Sequence, residues 1–117
     1  MSAALSIGIV GATGLVGELL LELLSERRFP LHTLRLFASA RSAGKRIRWQ
    51  DREIPVEEAA SADYRGLDIV FFSAGAGTAR ELAPRVAAAG ARVIDNSSAW
   101  RMRTRAGLQR SLALDQR

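Results

Sequence analysis

Three glycines spaced three residues apart form the first pattern in the sequence that indicates chemistry. Gly11, Gly14 and Gly17 follow an apolar run at residues 6–10. In a nucleotide-binding turn the first glycine permits a sharp exit from a strand, the second lets the backbone approach a diphosphate, and the third lets the next helix pack closely. Free amides at the positive end of that helix then bind the diphosphate. The spacing therefore predicts a dinucleotide site, with an ordinary strand-to-helix turn as the alternative.

A polar segment after the second predicted strand bears on which dinucleotide binds. Sites for NAD usually carry an Asp or Glu about twenty residues beyond the glycines, where it accepts a hydrogen bond from the ribose 2′-hydroxyl. Residues 39–45 contain hydroxyls and cations there, and no acid. Arg41 could bind a 2′-phosphate through charge-assisted hydrogen bonds, and Ser42 could donate another. The segment favours NADP over NAD; the alternative is a solvated basic loop.

Groups that could act as a nucleophile, base or metal ligand are few. The 117 residues include no cysteine, which excludes disulfides, thiolate metal sites and a cysteine nucleophile. The single histidine, His32, precedes the second predicted strand, and we expect it at the surface or at a strand edge rather than as a base. The sequence therefore predicts no catalytic residue and no metal site in this chain.

The net charge of +5 is concentrated near the C-terminal end. Residues 1–100 contain 12 Lys and Arg against 11 Asp and Glu, whereas residues 101–117 contain five Arg against one Asp. The body of the chain has no dense basic face and few aromatic residues for stacking on bases, so nucleic acid is not an expected partner. No apolar segment is long enough for a membrane span, and we expect a cytoplasmic protein without a membrane partner.

The hydrophobic pattern predicts the elements that position these residues. Apolar runs at 6–10, 33–38, 68–72 and 92–94 are typical of strands buried on both faces of a parallel sheet. Residues 46–56 indicate a short hairpin or an irregular excursion. The helix after the glycines ends before Pro30 and has an apolar face of five leucines: Leu15, Leu19, Leu20, Leu23 and Leu24.

A second helix completes the predicted pattern. Thr78 and Glu81 have capping-box spacing, so we expect the helix to begin there and to run to about residue 89, with Pro84 inside it. Strands alternating with helices predict an α/β fold, a Rossmann-type doubly wound and mainly parallel sheet. Because 117 residues are few for a nucleotide-using enzyme, we expect an incomplete domain.

Four segments together resemble the N-terminal, cofactor-binding part of the aspartate-semialdehyde dehydrogenase family. They are GATGLVG at 11–17, SARSAG at 39–44, FSAG at 72–75 and DNSSAWRM at 95–102. The glycine turn is shared with many reductases, whereas the last segment is quite specific. The likeness covers about residues 5–102. We expect an NADP-binding domain at 1–102 and an atypical arginine-rich tail at 103–117.

The resemblance implies roles for individual residues. Thr13, Gly14, Leu15 and Val16 would contact the cofactor diphosphate, and Arg41 and Ser42 the 2′-phosphate. Ser73, Ala74 and Gly75 would contact the nicotinamide half. Asn96 would line the site, and Arg101 would bind the phosphate of the substrate.

The resemblance also implies an activity. It is the NADPH-dependent reductive dephosphorylation of aspartyl phosphate to aspartate semialdehyde, through a thioester on a cysteine, in lysine, methionine and threonine biosynthesis. The full-length family is expected to form homodimers. Its cysteine, base histidine and second substrate-binding arginine lie beyond the matched segment, so we expect this chain alone to be inactive. The likeness stops at Met102, where a frame shift or truncation is our expectation.

Two other interpretations of the function remain open. One is a non-catalytic NADP-binding fragment. The other is an atypical short-chain NADP reductase, although the usual tyrosine and lysine four residues apart are missing, since Asp68 follows Tyr64 at that distance.

The resemblance leads to one expectation about folding. In the family, chain that returns after the substrate domain completes the cofactor domain. We therefore expect a sheet face around residues 69–72 and 93–94 that is partly bare unless the tail at 103–117 covers it, which its arginines disfavour. We also expect a marginally stable, aggregation-prone or self-associating protein.

Overall fold

The computed structural model describes residues 4–28, 30–73 and 76–95, except for the side chains of residues 76 and 77. The elements in chain order are β1 Leu5–Val10, α1 Leu15–Glu26, β2 Leu31–Ala38, β3 Arg46–Trp49, β4 Arg52–Glu58, β5 Ile69–Phe72, α2 Ala76–Ala88 and β6 Arg92–Asp95. All four strands predicted from apolar runs are present, with small shifts at their ends.

The strands of the described part form one sheet in the order β3-β4-β2-β1-β5-β6. Neighbouring strands are parallel except for β3 and β4, which form an antiparallel hairpin. Because β2 lies on one side of β1 and β5 on the other, the direction of winding reverses at β1. Such a reversal opens a crevice at the carboxyl ends of the strands, where α/β sheets bind ligands.

Each face of the sheet is covered by a helix. Ile7 and Ile9 pack with the leucines of α1 on one face, whereas Val10 and Phe72 pack with Leu82 of α2 on the other. The faces alternate along β1 because successive side chains of a strand point to opposite sides. The predicted doubly wound α/β fold is therefore confirmed. Neither helix in the described ranges is long and apolar enough to span a membrane.

The expectation of a partly bare sheet face is wrong for most of β5, of which only Ile69 is half-buried. Val70, Phe71 and Phe72 are at most 2% exposed. Phe71 packs in the cluster with α1, and Val70 and Phe72 pack in the cluster with α2. In β6, at the edge of the sheet, Val93 and Ile94 are half-buried. Residues 103–117, the other part of that expectation, lie outside the described residues.

The buried face of α1 differs from the predicted one at two leucines. Leu15, assigned by the pattern to the core, is 72% exposed, whereas Leu21, outside the pattern, is 5% exposed. Trp49 of β3 explains the burial of Leu21. Its indole Nε1 donates a hydrogen bond to the Leu21 carbonyl at 2.8 Å, so the hairpin covers an additional part of the surface of α1. Leu15 is the first residue of the helix.

The start of α2 also differs from the prediction. The helix begins at Ala76, so Thr78 lies inside its first turn and the predicted capping box with Glu81 is wrong. Alanine is a strong helix former, and the helix extends past the threonine towards it. Pro84 lies inside α2, as expected.

Residues 46–56 form the hairpin rather than the irregular excursion. Strand β4 continues to Glu58, and its last three residues pair in parallel with the end of β2, where Glu58 lies opposite Ala38. His32 lies within β2 rather than before it, and it is exposed.

Candidate functional site

The glycine turn at the carboxyl end of β1 has the geometry that its spacing predicts. Gly11 has a φ of 89°, in the left-handed region that favours glycine. A Cβ atom on Gly17 would lie 2.5 Å from the Gly11 carbonyl oxygen and 2.7 Å from the Cα of Ala12. Gly11 therefore permits the sharp turn after β1, and Gly17 lets α1 approach that turn closely.

The N-terminus of α1 is open to an anion. Gly14 is its N-cap and provides no side-chain hydrogen bond to the helix. Glu18 is the first residue whose amide bonds back within the helix, to the Gly14 carbonyl at 3.0 Å. In this part of the chain the amides of Leu15, Val16 and Gly17 therefore have no intrahelical acceptor. Together with the helix dipole, they form a site suited to a phosphate group.

Ser73 joins the end of β5 to this turn. Its amide donates to the Val10 carbonyl at 2.9 Å. Its hydroxyl lies 3.1 Å from the carbonyl oxygens of both Val10 and Gly11. On the other side, the amides of Gly11 and Ala12 donate to the Phe37 carbonyl of β2 at 2.8 and 3.2 Å. The turn is thus fixed to both neighbours of β1.

A cleft of about 490 Å³ lies over the carboxyl ends of β1, β2 and β4 and extends to α2. It combines small residues, hydroxyls and two carboxylates. Its lining residues are Val10, Gly11, Thr13, Gly14, Ala38, Ser39, Ala40, Glu58, Ala59, Ala60, Ser73, Thr78, Glu81 and Leu82.

The structure brings some of the predicted site residues to this cleft and leaves others beside it. Gly11, Thr13, Gly14 and Ser73 line it. Ala74, Gly75, Asn96 and Arg101 lie outside the described residues. The remaining predicted residues do not line the cleft: Leu15, Val16, Gly17, Arg41 and Ser42.

Those five residues fall into two groups. Val16 and Gly17 are buried beneath the turn and Leu15 is exposed, so only their backbone amides are suited to a phosphate. Arg41 is exposed and Ser42 half-buried, in the turn that directly follows the lining residues Ser39 and Ala40. The amide of Ser42 donates to the Ser39 carbonyl at 3.0 Å, which holds this turn at the rim.

The far wall of the cleft was missed in the sequence. It consists of residues 58–60, after β4, and of Thr78, Glu81 and Leu82 on α2. Residues 58–60 reach the cleft because β4 pairs in parallel with β2. The charged residues around Pro55 obscured that strand in the sequence.

Three side chains hold this wall in place. The Tyr64 hydroxyl donates to the Ala59 carbonyl at 2.6 Å, and Arg85 donates to the carbonyls of Ala60 and Ala62 at 2.6 and 3.1 Å. Arg35 donates to the Glu57 carboxylate at 2.6 and 2.9 Å and to the Asp63 carbonyl at 2.7 Å. The hydrogen bond to Glu57 raises the pKa of Arg35, and burial raises the pKa of the Tyr64 phenol.

The sheet order, the glycine turn and the cleft at the point of reversal define a Rossmann-type nucleotide-binding domain. The family model "Semialdehyde dehydrogenase, NAD binding domain" matches residues 6–111. The chain therefore belongs to the semialdehyde dehydrogenase family, and the matched part corresponds to its domain for a nicotinamide cofactor.

Curated relatives and solved structures agree with this family. The aspartate-semialdehyde dehydrogenase of Streptomyces akiyoshiensis is 60% identical over 95 residues, which are 81% of this chain and 27% of the relative. That of Bacillus subtilis is 43% identical over 102 residues, 87% of this chain and 30% of the relative.

The structural matches cover the same share. The crystal structure of aspartate semialdehyde dehydrogenase II from Vibrio cholerae has a TM-score of 0.78 and 42% identity, covering 80% of this chain and 31% of that one. A probable aspartate-semialdehyde dehydrogenase from Pseudomonas aeruginosa has a TM-score of 0.78 and 46% identity, covering 82% and 29%. The chain thus spans less than a third of the length of these relatives.

The wall around Tyr64 leads to a prediction about stability and pH. Tyr64→Phe keeps the ring but removes the donor to the buried Ala59 carbonyl, so we expect the free energy of unfolding at pH 7 to fall by about 1 kcal/mol. Because the folded-state pKa of the phenol is raised above its unfolded value, its contribution is complete below the unfolded pKa and is lost as pH rises through the folded one.

Urea denaturation of both proteins from pH 7 to above about pH 10 measures this difference. The chain has one tyrosine, so its phenolate absorbance gives the pKa directly. The interpretation fails if Tyr64 titrates at its ordinary value and the gap between the two proteins is the same at every pH.

Proposed function

We propose that this chain binds NADP(H) in the cleft, as the cofactor-binding part of an aspartate-semialdehyde dehydrogenase. The observation that carries the proposal is the open N-terminus of α1 beside the cleft, where Gly14 caps the helix without a side chain. The amides of the first turn would donate to the cofactor diphosphate, and Thr13 would lie beside it. The family match supports a nicotinamide cofactor.

The preference for NADP rests on the turn after β2. Arg41 is exposed at the rim and makes no ion pair or hydrogen bond with the other described residues, so its guanidinium is available to a ligand. A guanidinium binds phosphoryl oxygens in a bidentate manner, and the Ser42 hydroxyl would add a donor.

The other proposed roles complete the site. Ser73, Ala74 and Gly75 would border the nicotinamide half, Asn96 would line the site, and Arg101 would bind the phosphate of the substrate. The bound cofactor supplies a hydride for the reduction of aspartyl phosphate to aspartate semialdehyde, a step in the synthesis of lysine, methionine and threonine. The contribution of the described residues is to bind and orient the dinucleotide.

The alternative of an atypical short-chain reductase finds no support at the residue that it needs. Tyr64 is 2% exposed and its hydroxyl donates to the Ala59 carbonyl, so it faces the core rather than a substrate. Asp68, four residues later, accepts a hydrogen bond from the Ser6 amide at 2.8 Å and connects β5 to β1. A non-catalytic NADP-binding domain remains the second candidate.

The cofactor preference gives the first prediction of this proposal. We expect calorimetric titration to show tighter binding of NADPH than of NADH, and Arg41→Ala to weaken NADPH about tenfold or more while leaving NADH nearly unchanged. Arg48→Ala is the matched control, because Arg48 is an exposed arginine of β3 that does not line the cleft. Equal affinities of the wild-type chain for NADPH and NADH would contradict the role of the 2′-phosphate.

The second prediction concerns turnover. Since the sequence has no cysteine to form a thioester, we expect no phosphate-dependent reduction of NADP by aspartate semialdehyde above background. The Streptomyces akiyoshiensis enzyme, assayed in parallel, serves as the positive control. Turnover by the purified chain would show that another residue replaces the thiolate.

A further inference from the structure

Glu58 places a carboxylate in the cleft at a position with no counterpart in the predicted site. It is the last residue of β4, it lies opposite Ala38 of β2, and it is half-buried. Its Oε1 accepts a hydrogen bond from the Ser61 hydroxyl at 2.9 Å. A carboxylate can accept further hydrogen bonds, and Oε2 makes none with the described residues. The side chain is thus held in place while one oxygen is available to a ligand.

The sheet indicates which part of a dinucleotide reaches Glu58. The diphosphate belongs at the end of β1, and neighbouring strands are about 4.8 Å apart, so the end of β2 is one strand spacing away and the end of β4 two. The end of β4 is thus roughly 10 Å from the end of β1, a distance that an adenosine can span. Its ribose would then lie over Ser39 and Ala40, and its base over residues 58–60.

The lining at that position suits a flat ring with one polar contact. Ala59 and Ala60 come from the loop after β4, and Leu82 comes from α2. These small or apolar side chains accommodate a base without competing for its hydrogen bonds. Glu81 is the other carboxylate of the cleft, but it is exposed on α2, whereas Glu58 is half-buried and hydrogen-bonded.

We propose that Glu58 accepts a hydrogen bond from the exocyclic amine of the adenine base and so selects adenine dinucleotides. The inference rests on the proposed function, because it assumes the dinucleotide in this cleft. An ionised carboxylate only accepts hydrogen bonds. If an oxygen replaced the exocyclic amine of the purine, that oxygen and the Glu58 carboxylate would both be acceptors and would repel each other. Glu58 is one strand farther from β1 than the ribose position, so its charge is compatible with a 2′-phosphate at Arg41.

The test compares NADPH with its analogue in which hypoxanthine replaces adenine, by calorimetric titration of the full chain. We expect the wild-type chain to prefer NADPH about tenfold or more, since a hydrogen bond to a charged group is lost and a repulsion gained. Glu58→Met has similar length but no acceptor of that kind, and we expect it to weaken NADPH and to bring the two affinities close together.

Glu53→Met is the matched control, because the substitution removes the same charge. Glu53 lies on the same strand as Glu58 and does not line the cleft. This variant should keep the wild-type preference. Equal affinity of the wild-type chain for the two dinucleotides overturns the inference without any variant, as does an unchanged preference in Glu58→Met. If Glu58→Met instead raises the affinity for NADPH relative to that for NADH, the carboxylate faces the ribose and the assignment is wrong. If neither dinucleotide binds the wild-type chain, the proposed function fails together with the inference.

Discussion

The close approach of α1 to the turn that leaves β1 determines the geometry of the site. Any side chain on Gly17 would overlap the backbone of Gly11 and Ala12. Without that approach the helix could not lie on the sheet with its N-terminus at the carboxyl edge. The same turn bonds to Phe37 of β2 and to Ser73, which directly follows β5. One backbone contact therefore fixes both the position of the free amides and the strands beside them.

The second wall of the cleft depends on interactions distant in sequence. Arg35, Tyr64 and Arg85 come from β2, the loop before β5, and α2, and each bonds to a backbone carbonyl of residues 59–63. Because these carbonyls are satisfied by side chains, the loop is fixed without forming a regular element. Across the strand ends the site presents Glu58 at the end of β4, the turn with Arg41 after β2 and the open amides of α1 after β1.

The sequence was sufficient for features that depend on local pattern. The glycine spacing predicted the turn, because a turn depends on neighbouring residues. The alternation of apolar strands with helices predicted the parallel sheet and the Rossmann-type winding, because few topologies accommodate that order. Features set by tertiary contacts were not predictable in the same way. Leu21 is covered by Trp49 of a hairpin that is distant in sequence. The helix α2 begins before the Thr78 pattern. Strand β4 joins the sheet through its last three residues, which pair with Leu36–Ala38 of β2. The wall formed by Glu58 to Ala60 was missed for that last reason.

The open amides of α1 are the groups that we propose bind the diphosphate of a dinucleotide. Two-dimensional amide NMR spectra of the isotopically labelled chain, recorded as NADPH is added, would show whether they do. We expect the amide signals of Leu15, Val16 and Gly17 to shift most strongly and saturably, as hydrogen bonds form to the phosphate. Saturable shifts elsewhere in the chain, with these three amides unchanged, would contradict this proposal.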